Sequence, residues 1–195
     1  MPWAAVVAAV QARVRPYAYP ATMPLVLRKL NTHDEEAFLR ALQLTAASDP
    51  NFVRSYHSDL SFAGYLYILD EAERGRGLAE GHVPSTLLFG FVGKEIVGRL
   101  MLRHSLNEFF SRVGGHIGFV VVPEHRRRGY ATEMLRQGLD HARSIGLTKV
   151  LVTCDEGNIA SRRTIEKCGG EYEDSHVGPE APAPTRRYWF ELPQL

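Results

Sequence analysis

The order of apolar and polar positions predicts short strands alternating with amphipathic helices. The clearest segment is an unbroken apolar run at residues 117–122, rich in β-branched residues, which is typical of a strand buried on both faces. Pro123 ends this strand, because proline cannot donate to a sheet ladder. After Gly129, apolar residues recur every three or four positions as far as Ile145, and this spacing predicts a helix that stops at Gly146.

The remaining pattern is that of one α/β domain without internal repeats. Gly93 and Lys94 form a tight turn between two strands of a predicted hairpin. The other predicted elements are, in order, a strand at 25–30, helices at about 34–48 and 58–74, the hairpin strands at 86–92 and 95–102, a polar connection at 103–115, a strand at 149–153, a helix at 158–168, and strands at 171–176 and 187–192.

Residues 126–131, between the central strand and its helix, have the composition of an anion-binding turn. Gly129 and the small Ala131 let backbone N–H groups approach an anion closely, and the helix N-terminus adds its unpaired donors and positive dipole end. That dipole contributes roughly 0.3 to 1 kcal/mol, and each charge-assisted hydrogen bond about 1.5 to 3. We therefore expect a diphosphate here. A solvated charged turn and a mononucleotide site are the alternatives, although the turn lacks the Gly-Lys-Ser/Thr ending of a phosphate loop.

Two blocks of sequence together resemble the GNAT superfamily of N-acetyltransferases. Arg126-x-x-Gly129-x-Ala131 after a buried strand is similar to the superfamily's pyrophosphate-binding turn, Arg/Gln-x-x-Gly-x-Gly/Ala. The second block follows at the right separation, where a strand leads to Asn158 and to a helix that closes at Gly169. Two blocks in this order make the resemblance specific, and it covers about residues 25–192.

This resemblance implies an α/β (mixed α+β) fold, in which a central mixed, mostly antiparallel sheet is flanked by helices on both faces. Residues 23–195 then form one domain, and residues 1–22 are an added N-terminal extension. The implied activity is direct transfer of an acetyl group from acetyl-CoA to an amine of a small molecule or a protein. A catalytically silent module that binds or senses acyl-CoA is the alternative function.

The resemblance also assigns the cofactor-binding residues. Backbone N–H groups of residues 127–132 bind the diphosphate, the strand at 120–122 pairs with the pantetheine arm, and a main-chain N–H near Val121 stabilises the oxyanion. The helix-opening Asn158 contacts the arm or serves as an ordinary N-cap. The assigned residues are Val120, Val121, Val122, Arg126, Arg127, Arg128, Gly129, Tyr130, Ala131, Thr132, Asn158 and Ser161.

The proton-transfer groups are less clear from the sequence. The strand at 117–122 contains no carboxylate, so a general base has to come from a neighbouring element or act through water. His116 is the first candidate base, since an imidazole is mostly neutral at pH 7, and Glu108 is the second. Many superfamily members carry a tyrosine acid at the position of Ile165, which cannot donate a proton. Tyr172 or water is the expected substitute.

The acceptor site is expected between the first two helices and the last loop. Aromatic residues and one histidine in and near those helices are candidates to line it, namely Phe52, Tyr56, His57, Tyr65 and Tyr67. Nothing in the sequence names the acceptor itself.

Composition limits which partners, metal sites and cellular compartment we expect for the protein. The formal net charge of +1 argues against a nucleic-acid surface, and no apolar run is long enough to span a membrane. Cys154 and Cys168 lack metal-ligand spacing and are expected to be buried thiols, so we expect neither a metal site nor a disulfide. The N-terminal apolar stretch has its arginines on the wrong side for a signal peptide. We therefore expect a cytoplasmic monomer or homodimer.

Overall fold

A computed structural model describes residues 24–49, 52–53, 56–57, 59–179 and 183–193. The N-terminal extension expected at residues 1–22 lies outside these residues. The strands are β1 (Leu25–Arg28), β2 (Ser85–Val92), β3 (Glu95–Arg103), β4 (Ile117–Val121), β5 (Lys149–Asp155), β6 (Glu171–His176) and β7 (Thr185–Glu191). The helices are α1 (Glu35–Thr45), α2 (Phe62–Glu73), α3 (Glu108–Arg112), α4 (Tyr130–Ser144) and α5 (Ile159–Lys167), and a 3₁₀ turn covers Pro123–His125.

The strands form one seven-stranded sheet in the order β1-β2-β3-β4-β5-β7-β6. All neighbouring pairs are antiparallel except β4 and β5, which are parallel. The mixed, mostly antiparallel sheet predicted from the resemblance is thus confirmed. The one parallel step divides the sheet into a β1–β4 half and a β5–β7 half.

Helix α4 packs across one face of the sheet and joins its two halves. Its buried side chains include Met134 and Leu135, which lie in a core cluster with Leu100 of β3 and Val152 of β5. Gly138 is needed where α4 crosses β3, since a Cβ there would lie 2.5 Å from Leu100 Cδ1. The amphipathic spacing predicted for this helix therefore matches its buried stripe.

Helices α1 and α2 cover the other face, over β2 and β3. A second core cluster is formed there by aromatic rings, with Phe38 at its centre and ring centroids 4.9 to 6.1 Å from four neighbours. These neighbours are Tyr56, Phe62, Tyr65 and Phe89. Both faces of the sheet carry helices, but this face is covered mainly over the β1–β3 end.

The outer edge of the short strand β1 forms hydrogen bonds with a side chain of α4 rather than with another strand. Leu27 N–H donates to Gln137 Oε1 at 2.7 Å, and Gln137 Nε2 donates to the Leu25 carbonyl at 2.8 Å. One α4 side chain thus satisfies a donor and an acceptor that an edge strand would otherwise expose.

Two details differ from the sequence predictions. The segment predicted to be a polar connection, residues 103–115, contains helix α3, whose start Asn107 caps by accepting from Phe110 N–H at 2.9 Å. Strand β4 was predicted to be buried on both faces, which is wrong: Ile117 is buried, while the four residues from Gly118 to Val121 are only half-buried. The reason is the geometry of the parallel pair described next.

Candidate functional site

Strands β4 and β5 separate almost as soon as they meet. Within the described sheet, a single register pair, Ile117 with Val152, joins them. His116 N–H reinforces this start by donating to the Leu151 carbonyl at 2.7 Å. Beyond it the strands diverge towards their carboxyl ends, and this opening leaves one edge of β4 without a partner strand. Ligands in α/β sheets bind at such an end, where neighbouring strands part.

The peptide N–H and C=O groups of β4 point alternately to its two sides, so that every second residue directs them towards the opening. Its ladder with β3 runs without a register shift, and it continues to Val122, whose N–H donates to the Val97 carbonyl at 2.9 Å. Since an antiparallel ladder alternates, Phe119 and Val121 direct their peptide groups away from β3. Arg126 Nε accordingly reaches the Val121 carbonyl at 3.3 Å. An extended ligand arm can therefore pair with β4 as an added strand would.

The turn after β4 presents the N-terminus of α4 at the mouth of the opening. Arg127 and Gly129 both have left-handed backbones, with φ of 61° and 83°. Gly129 N-caps the helix without a side-chain hydrogen bond, and the first bond of α4 runs from Glu133 N–H to the Gly129 carbonyl at 3.1 Å. The N–H groups before that bond have no partner within the helix. They form a cradle for an anion next to the predicted Arg126–Ala131 motif.

Helix α5 starts at the same open end, after β5. Asn158 caps it, with its side-chain oxygen accepting from Ser161 N–H at 3.1 Å. The ordinary capping role of Asn158 is thus present, and a contact with a ligand arm stays a prediction. Two helix N-termini therefore flank the opening, one following each of the parallel strands.

His116 lies at the closed end of the opening and is buried. Its Nδ1 accepts a hydrogen bond from Leu151 N–H at 2.9 Å, so the neutral ring carries its proton on Nε2. Burial, helped by the nearby Arg103 charge, lowers the pKa of His116 to about 4. A base role would require the ring to release Leu151, because the lone pair of Nδ1 is already used. The role of His116 as base stays a prediction.

The other proton-transfer candidates lie farther from the opening. Glu108 is the first residue of α3, largely exposed, and it forms an ion pair with Arg112 at 2.6 Å. Ile165 is fully buried in the core beneath α5. Tyr172 belongs to the edge strand β6, which β7 separates from β5, and its hydroxyl lies 3.2 Å from Ser175 Oγ. Both Glu108 and Tyr172 therefore stay predictions.

The aromatic acceptor candidates divide into two groups. Phe52 and Tyr65 are buried in the cluster beneath α1 and α2, and the half-buried Tyr56 packs against them. Tyr67 is 65% exposed, and His57 is paired with the exposed Asp59. Only the first group belongs to the aromatic cluster on the α1 and α2 face of the sheet, which Val120 of β4 also contacts.

Sequence reasoning missed Arg99, which the structure places on that same face. Arg99 is paired with Val120 across the β3–β4 ladder, and its Nε donates to the Phe52 carbonyl at 2.6 Å. The sequence does contain a signal, because Arg99 is the one charged residue within the otherwise apolar run at 96–102. A charged side chain within an apolar strand needs a polar partner, because burying an unpaired charge is costly.

Three further features of the described residues bear on the expectations above. No group of three or more histidine, cysteine, aspartate or glutamate side chains in this part of the chain is placed to hold a metal ion. None of its helices combines the length and apolar character needed to cross a bilayer. Cys154 and Cys168 are both free thiols; Cys154 is buried as expected, whereas Cys168 is only half-buried.

Comparisons with known proteins agree with this geometry. The acetyltransferase (GNAT) domain family matches residues 24–171. No curated protein matches the sequence. Similar solved structures include spermidine N-acetyltransferase from Vibrio cholerae in complex with CoA and spermine, with 17% identity, a TM-score of 0.58, and coverage of 86% of this chain and 95% of that chain.

Two more structures share the fold at low identity. RimL, a ribosomal L7/L12 α-N-protein acetyltransferase in complex with coenzyme A, is 14% identical with a TM-score of 0.61, over 89% of this chain and 97% of that chain. The microcin C7 self-immunity acetyltransferase MccE, in complex with acetyl-CoA and AMP, is 11% identical with a TM-score of 0.62, over 93% and 99%. The family match covers most of the chain, and the strand opening and glycine turn lie within it: the protein belongs to the GNAT acetyltransferase family.

Proposed function

We propose that this protein transfers an acetyl group from acetyl-CoA directly to a primary amine of a small molecule or a protein. The observation that carries the proposal is the meeting of two features at one end of the sheet. The half-buried edge of β4 faces an opening towards β5, and the N-terminus of α4, which has no side-chain cap, lies at its mouth. Relatives of known structure hold CoA or acetyl-CoA and act on a ribosomal protein or spermidine.

In this proposal the turn and β4 bind the two ends of the cofactor. Backbone N–H groups of residues 127–132 donate to the diphosphate, supported by the α4 dipole. The peptide groups of Phe119, which point away from β3, pair with the amides of the pantetheine arm, and the apolar side chains of β4 cover its methylenes. The half-buried state of these apolar residues fits this role, since a ligand would complete their burial.

Bound acetyl-CoA supplies a thioester carbonyl that an amine can attack. The amine nitrogen forms a bond to the carbonyl carbon, the carbon–sulfur bond breaks, the amine loses a proton, and CoA leaves as the thiolate. We assign the Val121 N–H, which faces the opening, as the donor to the oxyanion.

The chemistry of the acceptor decides how much help proton removal needs. Deprotonating a lysine-like amine at pH 7 costs about 4.6 kcal/mol, whereas an α-amine costs roughly 1.4. His116 and Glu108 are the proposed bases for the harder case, directly or through water. An acid for the leaving group is less necessary, because a free thiolate at pH 7 costs only about 2 kcal/mol. Replacement of the usual tyrosine by Ile165 is therefore compatible with turnover.

A turnover assay tests this function. Purified protein is incubated with acetyl-CoA and a panel of primary amines, and thiol release is followed together with the mass of each product. We expect thiol release that depends on the amine, with a product heavier by one acetyl group. Tight binding of acetyl-CoA without transfer to any amine would instead assign the chain as a silent acyl-CoA-binding module.

Location in the cytoplasm is part of the same proposal. Two free thiols, one of them buried, are compatible with a reducing compartment. Fractionation of native cells, with the protein followed by immunoblot, tests it.

A further inference from the structure

The aromatic cluster under α1 and α2 ends beside the opening. Phe52 and Tyr65 form its buried part, while Tyr56, Met101 and Val120 are only partly buried and pack against it. Val120 belongs to β4, so the cluster reaches the strand that borders the opening. An acceptor that approaches β4 from this face would therefore contact aromatic rings.

A guanidinium is fixed at this aromatic edge. Arg99 is directly opposite Val120 in the β3–β4 ladder, and side chains at such positions lie about 5 Å apart at Cβ. The bond from Arg99 Nε to the Phe52 carbonyl, at 2.6 Å, fixes the side chain on the aromatic side of the strand. A positive charge thus lies close to the strand where the amine would react.

The hydroxyl of Tyr65 is a second donor in the same place. Tyr65 is fully buried, and among the described residues its hydroxyl has no hydrogen-bond partner. Tyr65 lies in the same cluster as Phe52, to whose carbonyl Arg99 is bonded, and burial raises the pKa of Tyr65 far above its usual value. An unpaired buried hydroxyl is costly, and a ligand acceptor atom would remove that cost.

From these contacts we infer that the acceptor amine carries an anionic group, a carboxylate or a phosphate, which Arg99 and Tyr65 receive beside an aromatic wall. This inference rests on the proposed acetyl transfer. A guanidinium and a phenol both donate to anionic oxygens, and the rings of Tyr56 and Phe52 favour an apolar side chain on the same acceptor molecule. Small amino acids with apolar side chains have this chemistry, whereas a polyamine would bring a cation against Arg99.

Matched pairs of amines test the inference. The pairs are L-phenylalanine with 2-phenylethylamine and L-leucine with 3-methylbutylamine, where each second member lacks only the carboxylate. The measured quantity is the ratio of kcat/KM within each pair, from thiol release, for the wild type and for the variants. Differences in amine basicity cancel when the ratio is compared between proteins. O-phosphoethanolamine is included to identify a phosphate, and spermidine to represent a polycation.

The variants are Tyr65→Phe and Arg99→Met, with Tyr67→Phe as the matched control on the exposed face of the same helix. We expect the wild type to prefer the anionic member of each pair. Each site variant should reduce that preference about tenfold or more, the effect of losing a hydrogen bond to a charged group. Tyr67→Phe should leave it unchanged, and Arg99→Lys should restore part of it. Tyr65→Phe removes an oxygen that has no hydrogen-bond partner among the described residues, so its thermal midpoint should not fall.

The outcomes separate this inference from the proposed function. Transfer that is equal for both members of each pair and unaffected by Tyr65→Phe, or a preference for spermidine, would overturn the inference and leave acetyl transfer standing. A preference for O-phosphoethanolamine that both variants abolish would support it and assign the anion as a phosphate. Binding of acetyl-CoA with no transfer to any amine would overturn both. Titration of the CoA-saturated protein with N-acetylphenylalanine and with N-acetylphenylethylamine tests the anion without turnover.

Discussion

The cofactor side and the acceptor side of this site are built in different ways. The cofactor side lies within one continuous segment, in which β4, the glycine turn and α4 follow each other between Ile117 and Ser144. The acceptor side brings together residues far apart in sequence, with Phe52 bonded to Arg99 over 47 positions. A segment that forms a site by local geometry leaves a readable motif, whereas a site formed by tertiary packing leaves only isolated residues.

The two sides also differ in how they use burial. On the acceptor side, aromatic residues are already packed, and Tyr65 is fully buried. On the cofactor side, apolar residues of β4 remain half-buried because β5 diverges after Ile117. Half-buried apolar residues beside backbone groups that point away from β3 are the features on which the proposed cofactor site rests.

The largest expected effect is a loss of acetyl-CoA affinity that leaves the acceptor side unchanged. Gly129→Glu places a carboxylate at the N-terminus of α4, where it competes with the diphosphate. Losing two charge-assisted hydrogen bonds should weaken acetyl-CoA binding roughly 100-fold or more. Calorimetric titration of the folded variant with acetyl-CoA measures this effect.

The control for that variant is Gly146→Glu, at the other end of the same helix. Gly146 has a similar left-handed backbone, with φ of 87°, and at neither glycine would a Cβ meet another atom within 4 Å. Both variants therefore carry similar strain, about 1 to 2 kcal/mol. Equal acetyl-CoA affinity in the two proteins would contradict the assigned turn.

A second prediction concerns His116, at the closed end of the opening. The pKa of this imidazole is about 4 in the folded protein against 6.5 ordinarily, so the unfolded chain binds more protons between these values. The stability contributed by neutral His116 is complete above pH 6.5 and is lost as the pH falls towards 4. The loss amounts to about 3 kcal/mol.

Urea unfolding at pH 7 and at pH 4.5 checks this dependence. In His116→Gln the ring is replaced by an uncharged amide that can still accept from Leu151 N–H, so the pH-dependent loss should shrink. His33→Gln, at an exposed histidine, is the control. A His116→Gln protein that loses as much stability as the wild type would show that protonation of this ring does not oppose folding.

The smallest predicted effect tests whether the cofactor site extends to the start of α5. Removing the Asn158 cap in Asn158→Ala should cost about 1 kcal/mol of stability. Asn158→Ser keeps a capping oxygen and should restore that stability, yet it lacks the longer amide that we propose contacts the ligand arm. We expect Asn158→Ser to weaken acetyl-CoA binding several-fold in calorimetry. Unchanged affinity would leave Asn158 as a cap only.

These contrasts explain which parts of the molecule were predictable from the sequence. Strand β4, the helix stop at Gly146 and the glycine turn before α4 follow from local periodicity and glycine chemistry, and each is present. That the turn binds an anion stays a prediction. Helix α3 was missed because five residues give too short a pattern, although Asn107 is a capping residue. The half-buried state of β4 and the position of Arg99 depend on how the strands diverge and pair, which no single segment encodes.

Calorimetric titration of the purified protein with acetyl-CoA, repeated with ATP, tests the central claim most directly. The cofactor site proposed at the β4–β5 opening and the Gly129 turn predicts micromolar binding of acetyl-CoA and no response to ATP. Absence of acetyl-CoA binding, or tighter binding of ATP, would contradict the assignment of the turn, and the proposed acetyl transfer would fall with it.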